Sequence, residues 1–157
     1  MEKILVSACL LGEPVRYDGN SQLLINETLS LWRKQGRLVS ICPEVAGGLS
    51  IPRPPAEIQP VSGEIMTCDG QNVSQQFHHG AYQALSICQQ HQIKFALLKE
   101  SSPSCGSNTI YDGSFSKQKT LGEGVTTKLL QSQGIKVFSE NNIAELIELM
   151  NGANLQP

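Results

Sequence analysis

The stretch Leu98-Lys99-Glu100-Ser101-Ser102-Pro103-Ser104-Cys105-Gly106 follows an apolar run, Phe95 to Leu98, and ends in a cysteine and a glycine. Pro103 has no N–H donor and Gly106 tolerates any backbone angle, so the stretch cannot cheaply continue a strand or begin a helix. It therefore predicts a fixed loop at the carboxyl end of a strand. Open α/β sheets bind their ligands at that end.

Two more cysteines lie in similar settings. Cys9 follows the apolar run Ile4 to Val6, and Cys42 follows the run Leu38 to Ile41. Because the carboxyl ends of neighbouring parallel strands share one edge of a sheet, these thiols are expected to meet there with Cys105. The pattern to explain is three strands that each deliver one thiol at their exit.

The order of apolar runs and helical patterns predicts the fold class. Strand-like runs lie at 4–6, 38–41, 95–98 and 135–138, and helical patterns lie at 26–36, 74–90, 122–133 and 142–150. Such alternation predicts one α/β domain over residues 1–157, a Rossmann-like three-layer sandwich. Its sheet is mainly parallel, helices cover both faces, and residues 109–115 form a small β-hairpin with Asp112-Gly113 at its tip. The proline-rich segment 49–58 is expected to be an extended loop.

Composition excludes several classes of function. The net charge is −2, charged residues make up 17% and aromatic residues 5% of the chain, and no Lys/Arg cluster is present. These values argue against a nucleic-acid-stacking surface. No apolar run reaches the roughly 20 residues of a membrane span, and the first residues lack the pattern of a signal peptide. We therefore expect a cytoplasmic protein, in which five cysteines serve as thiols or metal ligands rather than disulfides.

The remaining cysteines and the histidines have simpler interpretations. Cys88 falls on the apolar stripe of its helix and Cys68 lies in an edge segment, so both are expected to be small buried hydrophobic residues. His78, His79 and His91 are expected to face solvent or to cap a helix. The spacing of the other three cysteines matches no zinc-ribbon or ferredoxin pattern, and a metal site and unrelated thiols explain it equally well. As metal ligands, three thiolates would leave one position open, as a Lewis-acid catalyst requires.

Several stretches, taken together and in order, resemble the bacterial thiouracil desulfidase family. They are Val6–Gly12, Arg16–Gly19, Cys42–Glu44 with Gly47–Leu49, Pro52–Ile58, Leu97–Lys99 with Ser102–Gly106, and Gly122–Val125. The chain departs from many members at Val15, where the family often has a cysteine.

The resemblance implies a cofactor and a reaction. Cys9, Cys42 and Cys105 would hold a 4Fe–4S cluster, whose fourth iron is left open for the sulfur of the substrate. Glu44 would be the acid/base catalyst, and Ser101 would assist it. The reaction implied is the non-redox desulfuration of thiouracil, or of a thiouridine nucleotide, to uracil with release of sulfide.

Further residues are expected to surround the substrate: Ser7, Asp18, Gly47, Gly48, Arg53, Ser102 and Ser104. Each has an alternative role, since aspartate before glycine is turn chemistry and loop serines satisfy their own backbone. The expected partner is a small thiolated pyrimidine, with no membrane and no stable nucleic-acid partner, and the chain is expected to be a monomer. Two alternatives stay open: a mononuclear zinc hydrolase with three thiolates and a water, and a nucleotide- or RNA-binding module.

Overall fold

The computed structural model describes residues 1–155. Along these residues the strands are β1 (Ile4–Ser7), β2 (Leu38–Ile41), β3 (Ala56–Ile58), β4 (Ile65–Thr67), β5 (Phe95–Leu97), β6 (Thr109–Tyr111), β7 (Lys119–Leu121) and β8 (Lys136–Phe138). The helices are α1 (Glu27–Lys34), α2 (Pro43–Ala46), α3 (Ser74–His91), α4 (Val125–Ser132) and α5 (Ile143–Leu155), and a 3-10 turn, Ala8–Leu11, follows β1.

The central sheet is parallel throughout, with the strand order β2-β1-β5-β8. Ile4 lies opposite both Leu38 and Phe95, and Phe95 lies opposite Lys136, so the four strands end at the same edge. The predicted α/β class, with its mainly parallel sheet, is therefore confirmed.

Helices cover both faces of this sheet. Leu5 packs with the apolar stripes of α3 and α4, whereas its neighbours Ile4 and Val6 pack with α1 and α5 on the other face. This alternation follows from the two-residue period of a strand. Among residues 1–155, no helix combines the length and the hydropathy that a bilayer crossing requires.

The predicted helix boundaries agree at α1 and differ at α5. The side chain of Asn26 caps α1 by accepting a hydrogen bond from the Leu29 N–H at 3.0 Å. Asn142 and Glu145 have the spacing of a capping box, but the described residues show no hydrogen bond between the Asn142 side chain and the Glu145 N–H. The Asn142 Oδ1 atom instead accepts the Ser139 N–H at 2.7 Å, so it closes the turn after β8 rather than capping the helix.

Two antiparallel pairs lie outside the central sheet. Strands β3 and β4 pair with each other, and β6 pairs with β7. The extended loop expected over 49–58 thus ends in a short strand. The hairpin is longer than predicted, because Asp112-Gly113 opens a loop over residues 112–118 instead of forming a tight two-residue turn.

Candidate functional site

Three strand exits deliver cysteines to one cavity. Cys9 lies in the 3-10 turn after β1, Cys42 lies between β2 and α2, and Cys105 lies in the loop after β5. All three line a cavity of about 420 Å³. Cys9 and Cys105 are buried and Cys42 is half-buried. The structure thus brings together the three thiols that the sequence places at strand exits.

Serine side chains fix the loops that carry these thiols. The Ser7 hydroxyl accepts the Lys99 N–H at 2.9 Å, which ties the exit of β1 to the exit of β5. The Ser102 hydroxyl oxygen accepts the N–H groups of Ser104 and Cys105 at 3.0 and 3.1 Å. Since loop serines that bond local backbone hold it in one conformation, the thiol of Cys105 has a fixed position.

Burial controls the protonation of the thiols. Burial, with a smaller contribution from the nearby Cys42 thiol, raises the pKa of Cys9 to about 11. Burial also raises the pKa of Cys42 and of Cys105. In the metal-free chain these groups are therefore neutral near pH 7, and a metal that binds thiolate would release their protons.

Glu44 is held at the cavity by one cation and one hydroxyl. It lies in the first turn of α2, and its Oε1 atom accepts a hydrogen bond from Arg53 Nε at 3.1 Å. Its Oε2 atom accepts the Ser102 hydroxyl at 3.3 Å. The two side chains are mostly buried, with 17% of Glu44 and 5% of Arg53 exposed. The carboxylate is oriented by these bonds and keeps unused lone pairs toward the cavity that it lines.

Arg53 lines the cavity, but its described contacts are all to protein. Besides Glu44, its guanidinium donates to the Ser50 carbonyl at 3.1 Å and to the Val15 carbonyl at 3.0 Å. The backbone N–H of Arg53 donates to the Tyr17 carbonyl at 2.8 Å. Arg53 thus joins the loop after the 3-10 turn to Glu44, and the direct substrate contact expected of it stays a prediction.

Glu100 is saturated with hydrogen bonds. Its Oε1 atom accepts backbone N–H groups from Ser101, Ser107, Asn108 and Thr109, and its Oε2 atom accepts the side chains of Ser107 and Asn108. Burial opposes ionisation of this carboxyl group, but the backbone hydrogen bonds prevail and lower its pKa to about 2. Glu100 therefore fixes the shape of the 101–109 loop.

The predicted site residues divide between the cavity wall and its surroundings. Ser7, Ser101, Ser102 and Arg53 line the cavity with the three cysteines and Glu44. Within the described chain the lining does not include Asp18, Gly47, Gly48 or Ser104.

Each of these outlying residues has a local structural role. Asp18 accepts the Asn20 N–H at 3.0 Å in an exposed turn. A Cβ atom at Gly47 would lie 1.9 Å from the Gln76 carbonyl, so this glycine lets α2 approach α3. Gly48 adopts a left-handed φ of +105° where α2 ends, and Ser104 is fully buried against Thr126.

The expectation for Cys68 is wrong. It was expected to be buried, but it is exposed in the turn that follows β4, and it lines the cavity. Cys68 is not part of the small apolar cluster of Ile65, Val73 and Phe77 that lies at the β3–β4 pair. The expectation for Cys88 is confirmed, since it packs in the core with 1% exposure. His78, His79 and His91 are exposed on α3, as expected.

Sequence analysis missed two buried carboxylates and a wall of the cavity. Glu57 and Glu100 line the cavity, and so do four residues of the β6–β7 hairpin: Tyr111, Phe115, Lys117 and Lys119. An acid directly before a Ser/Pro/Gly loop was the available signal for Glu100, because such a loop leaves backbone N–H groups to satisfy. The sequence of the β6–β7 hairpin has no comparable pattern that would indicate a place in the cavity wall.

The donor set fits an iron–sulfur cluster. Each thiolate that holds such a cluster binds a different iron, so the ligands are set around a cavity. Cys9, Cys42 and Cys105 line one cavity and could hold a cluster there.

Fold and site together define a class: an α/β protein with a thiol-lined ligand cavity at the carboxyl edge of a parallel sheet. Residues 4–142 match the model of a family described as 2-thiouracil desulfurase. The chain belongs to this family, and the membership that the sequence motifs predicted is confirmed.

Similar proteins extend this result over nearly the whole chain. A solved structure of the 4Fe-4S-dependent thiouracil desulfidase TudS is 50% identical, with a TM-score of 0.93, over 96% of this chain and 99% of that one. The uncharacterized protein YbbK of Bacillus subtilis (strain 168) is 39% identical in an alignment of 152 residues that covers 92% of this chain and 99% of YbbK.

Proposed function

We propose that this protein removes sulfur from thiouracil, or from a thiouridine nucleotide, by hydrolysis. The observation that carries the proposal is the meeting of Cys9, Cys42 and Cys105 with Glu44 in one cavity. Cys9, Cys42 and Cys105 would hold a 4Fe–4S cluster, which would supply Lewis-acid chemistry for the substrate's sulfur. The net reaction breaks a C–S bond, forms a C–O bond with water, and releases hydrogen sulfide without oxidation or reduction.

Glu44 is the acid/base in this proposal. It takes one proton from the attacking water as the C–O bond forms and the second from the added hydroxyl as the C–S bond breaks. It passes both to the departing sulfur, so the proton balance closes within one turnover. Arg53 and Ser102 hold its two oxygens, which keeps the carboxylate aimed at the cavity between the two transfers. A positioned acid/base contributes about 10²–10⁴ to the rate.

Ser101 is the helper residue. It lines the cavity with an unusual left-handed φ of +70°, and its hydroxyl lies 3.0 Å from that of Thr109. Its N–H donates to Glu100, so the saturated carboxylate holds this strained residue in place. We propose that the Ser101 hydroxyl donates to charge that develops on the pyrimidine as water adds.

The wider setting follows from the same site. The partner is a small thiolated pyrimidine, because the cavity of about 420 Å³ is of the size that encloses a small ligand. We infer that the protein works in the cytoplasm, where thiols stay reduced, as one domain and as a monomer.

Anaerobic purification followed by iron and sulfide quantitation tests the proposal. The expected result is a brown protein with about four irons and four sulfides per chain, which releases sulfide and uracil from thiouracil. A colourless protein that binds one zinc ion, or a fully loaded protein that releases no sulfide from thiouracil or its nucleotide, would overturn it.

A further inference from the structure

The β6–β7 hairpin forms a wall of the cavity that the thiol loops do not supply. Tyr111, Phe115, Lys117 and Lys119 line the cavity from this side. In the described residues the two strands form a ladder with each other, a single bridge joins Ile110 of β6 to Ser101, and β7 is exposed along its length. A two-stranded hairpin is marginally stable by itself, so this wall needs an anchor elsewhere in the chain.

Glu57 anchors the tip of the hairpin, next to Gln59, whose side-chain amide donates to the Gly113 carbonyl at 3.2 Å. The Glu57 side chain lies in β3, is 8% exposed, and accepts the Gly113 N–H at 2.9 Å and the Phe115 N–H at 3.2 Å on Oε1. In the described residues no Lys, Arg or His lies within ion-pair distance of it. A buried carboxylate is costly unless it is hydrogen-bonded, so these two backbone groups are its main compensation.

Phe115 is the residue that this anchor places. It has a left-handed φ of +56°, which is uncommon outside glycine, and its apolar side chain is 37% exposed while it lines the cavity. Strained backbone and exposed apolar surface both cost stability, and such strain collects at functional sites. Tyr111 is a weaker candidate for ring contact because Lys119 already lies over its ring at 5.6 Å.

We propose that Phe115 is the surface against which the pyrimidine ring stacks, and that Glu57 is a positioning residue that acts through Phe115. This inference rests on the proposed function, since it assigns the ring-binding wall of the same cavity. Stacking of a base on an aromatic side chain changes affinity about 5- to 100-fold when the side chain is removed.

A double-mutant cycle on the iron-loaded protein tests this assignment. The affinity for uracil, the product, is measured by calorimetry for the wild type, Glu57→Ala, Phe115→Ala and the double variant, together with KM and kcat for thiouracil. We expect each single variant to weaken uracil binding about 5- to 100-fold. We expect the double variant to be no weaker than Phe115→Ala alone, because residues that act through one contact are not additive.

A conservative variant separates positioning from direct contact. Glu57→Gln keeps an acceptor oxygen for the two N–H groups, so it should bind uracil within about threefold of the wild type, given the modest strength of a single hydrogen bond. Glu64→Ala and Tyr82→Ala, at exposed positions outside the cavity lining, are the matched controls and should not change affinity. If Glu57→Ala does not fold, Glu57→Leu fills its place in the cycle.

Three outcomes would overturn the inference. Additive losses in the double variant would mean that Glu57 contacts the ligand itself, and a loss in Glu57→Gln equal to that in Glu57→Ala would mean the same. A wild-type protein that does not bind uracil would overturn it directly. The sulfide-release assay on the wild type tests the proposed function, and the uracil-binding cycle tests the role of Phe115. A protein that binds uracil but releases no sulfide from thiouracil would therefore contradict the proposed function alone.

Discussion

The loops after β2 and β5 each bring one thiol and one carboxylate to the cavity, and the two carboxylates are bound in opposite ways. Glu44, after β2, accepts one hydrogen bond from Arg53 and one from Ser102. Glu100, after β5, accepts four backbone N–H groups and two side-chain donors. The Glu44 carboxylate is oriented and keeps free lone pairs, whereas the Glu100 carboxylate is saturated with hydrogen bonds.

This difference separates a chemical from a structural role. A carboxylate whose pKa is lowered to about 2 cannot hold a proton near neutral pH, so Glu100 cannot serve as acid and base in turn. Glu44 keeps free lone pairs at the cavity, and this is why we propose it, and not Glu100, as the acid/base. Glu44 lies two residues after Cys42 and Glu100 lies five residues before Cys105, so the number of hydrogen-bond donors distinguishes them better than their place in the sequence.

The largest effect on activity is expected at the cysteines, because each of the two loops carries one. Cys42→Ala and Cys105→Ala should each abolish the brown colour, the bound iron and the activity, because a cluster with two protein ligands is poorly held. Iron content and sulfide release are measured after anaerobic purification, with circular dichroism as the control for folding. Full activity in the Cys105 variant would remove the cluster model.

The second-largest effect on activity is expected at Glu44, which follows β2. Glu44→Gln has nearly the same shape and should keep the cluster while kcat falls about 10²–10⁴-fold. Steady-state kinetics with thiouracil and the visible spectrum are the measurements. Turnover within a few-fold of the wild type would show that Glu44 is not the acid/base.

Sequence patterns predicted the parts of this site that depend on strand ends. Each thiol follows a short apolar run, and parallel strands necessarily end at one edge, so Cys9, Cys42 and Cys105 could be placed near one another without a structure. Glu44 lies two residues after Cys42, but its role as acid/base was implied by the family resemblance and not by the strand ends. The fold class followed from the alternation of strands and helices.

Sequence patterns did not predict the parts that depend on backbone donors far away in the chain. Glu57 binds the amides of Gly113 and Phe115, more than fifty residues later, and no periodicity marks that pairing. The hairpin was expected to be a tight Asp-Gly turn because local propensity favours one, but contacts with β3 hold it in a longer loop. Tertiary hydrogen bonds decided both cases.

For Glu100, in the loop after β5, we predict an effect on stability. Glu100→Gln should lower the free energy of unfolding at pH 7 by about 1.5–3 kcal/mol, because hydrogen bonds to a charged acceptor are weakened or lost. Urea denaturation measures this difference. The kcat of the folded variant should fall less than that of Glu44→Gln, and a larger fall would place Glu100 in the chemistry.

The pH dependence of that difference has a definite sign. Because the folded-state pKa of Glu100 is lowered, its contribution is fully present above the unfolded value near 4.5 and is lost as pH falls toward about 2. The gap between wild type and Glu100→Gln should therefore be constant from pH 7 to about pH 5 and shrink below pH 4.5. A gap that stayed constant down to pH 3 would contradict the hydrogen-bond origin of the lowered pKa.

The smallest effect is expected at Cys68, which lines the cavity but belongs to neither thiol loop. It lies in the turn after β4, where its N–H donates to the Pro55 carbonyl, and its exposure leaves the side chain free to react. Cys68→Ser should keep iron content unchanged and kcat/KM within about twofold, as expected for a surface substitution. In the loaded protein Cys68 should be the first thiol that iodoacetamide modifies, detected by mass spectrometry, because the cluster ligands and Cys88 are covered. Loss of iron in Cys68→Ser would mean that a fourth thiol closes the site, and the open iron on which the desulfuration depends would then not exist.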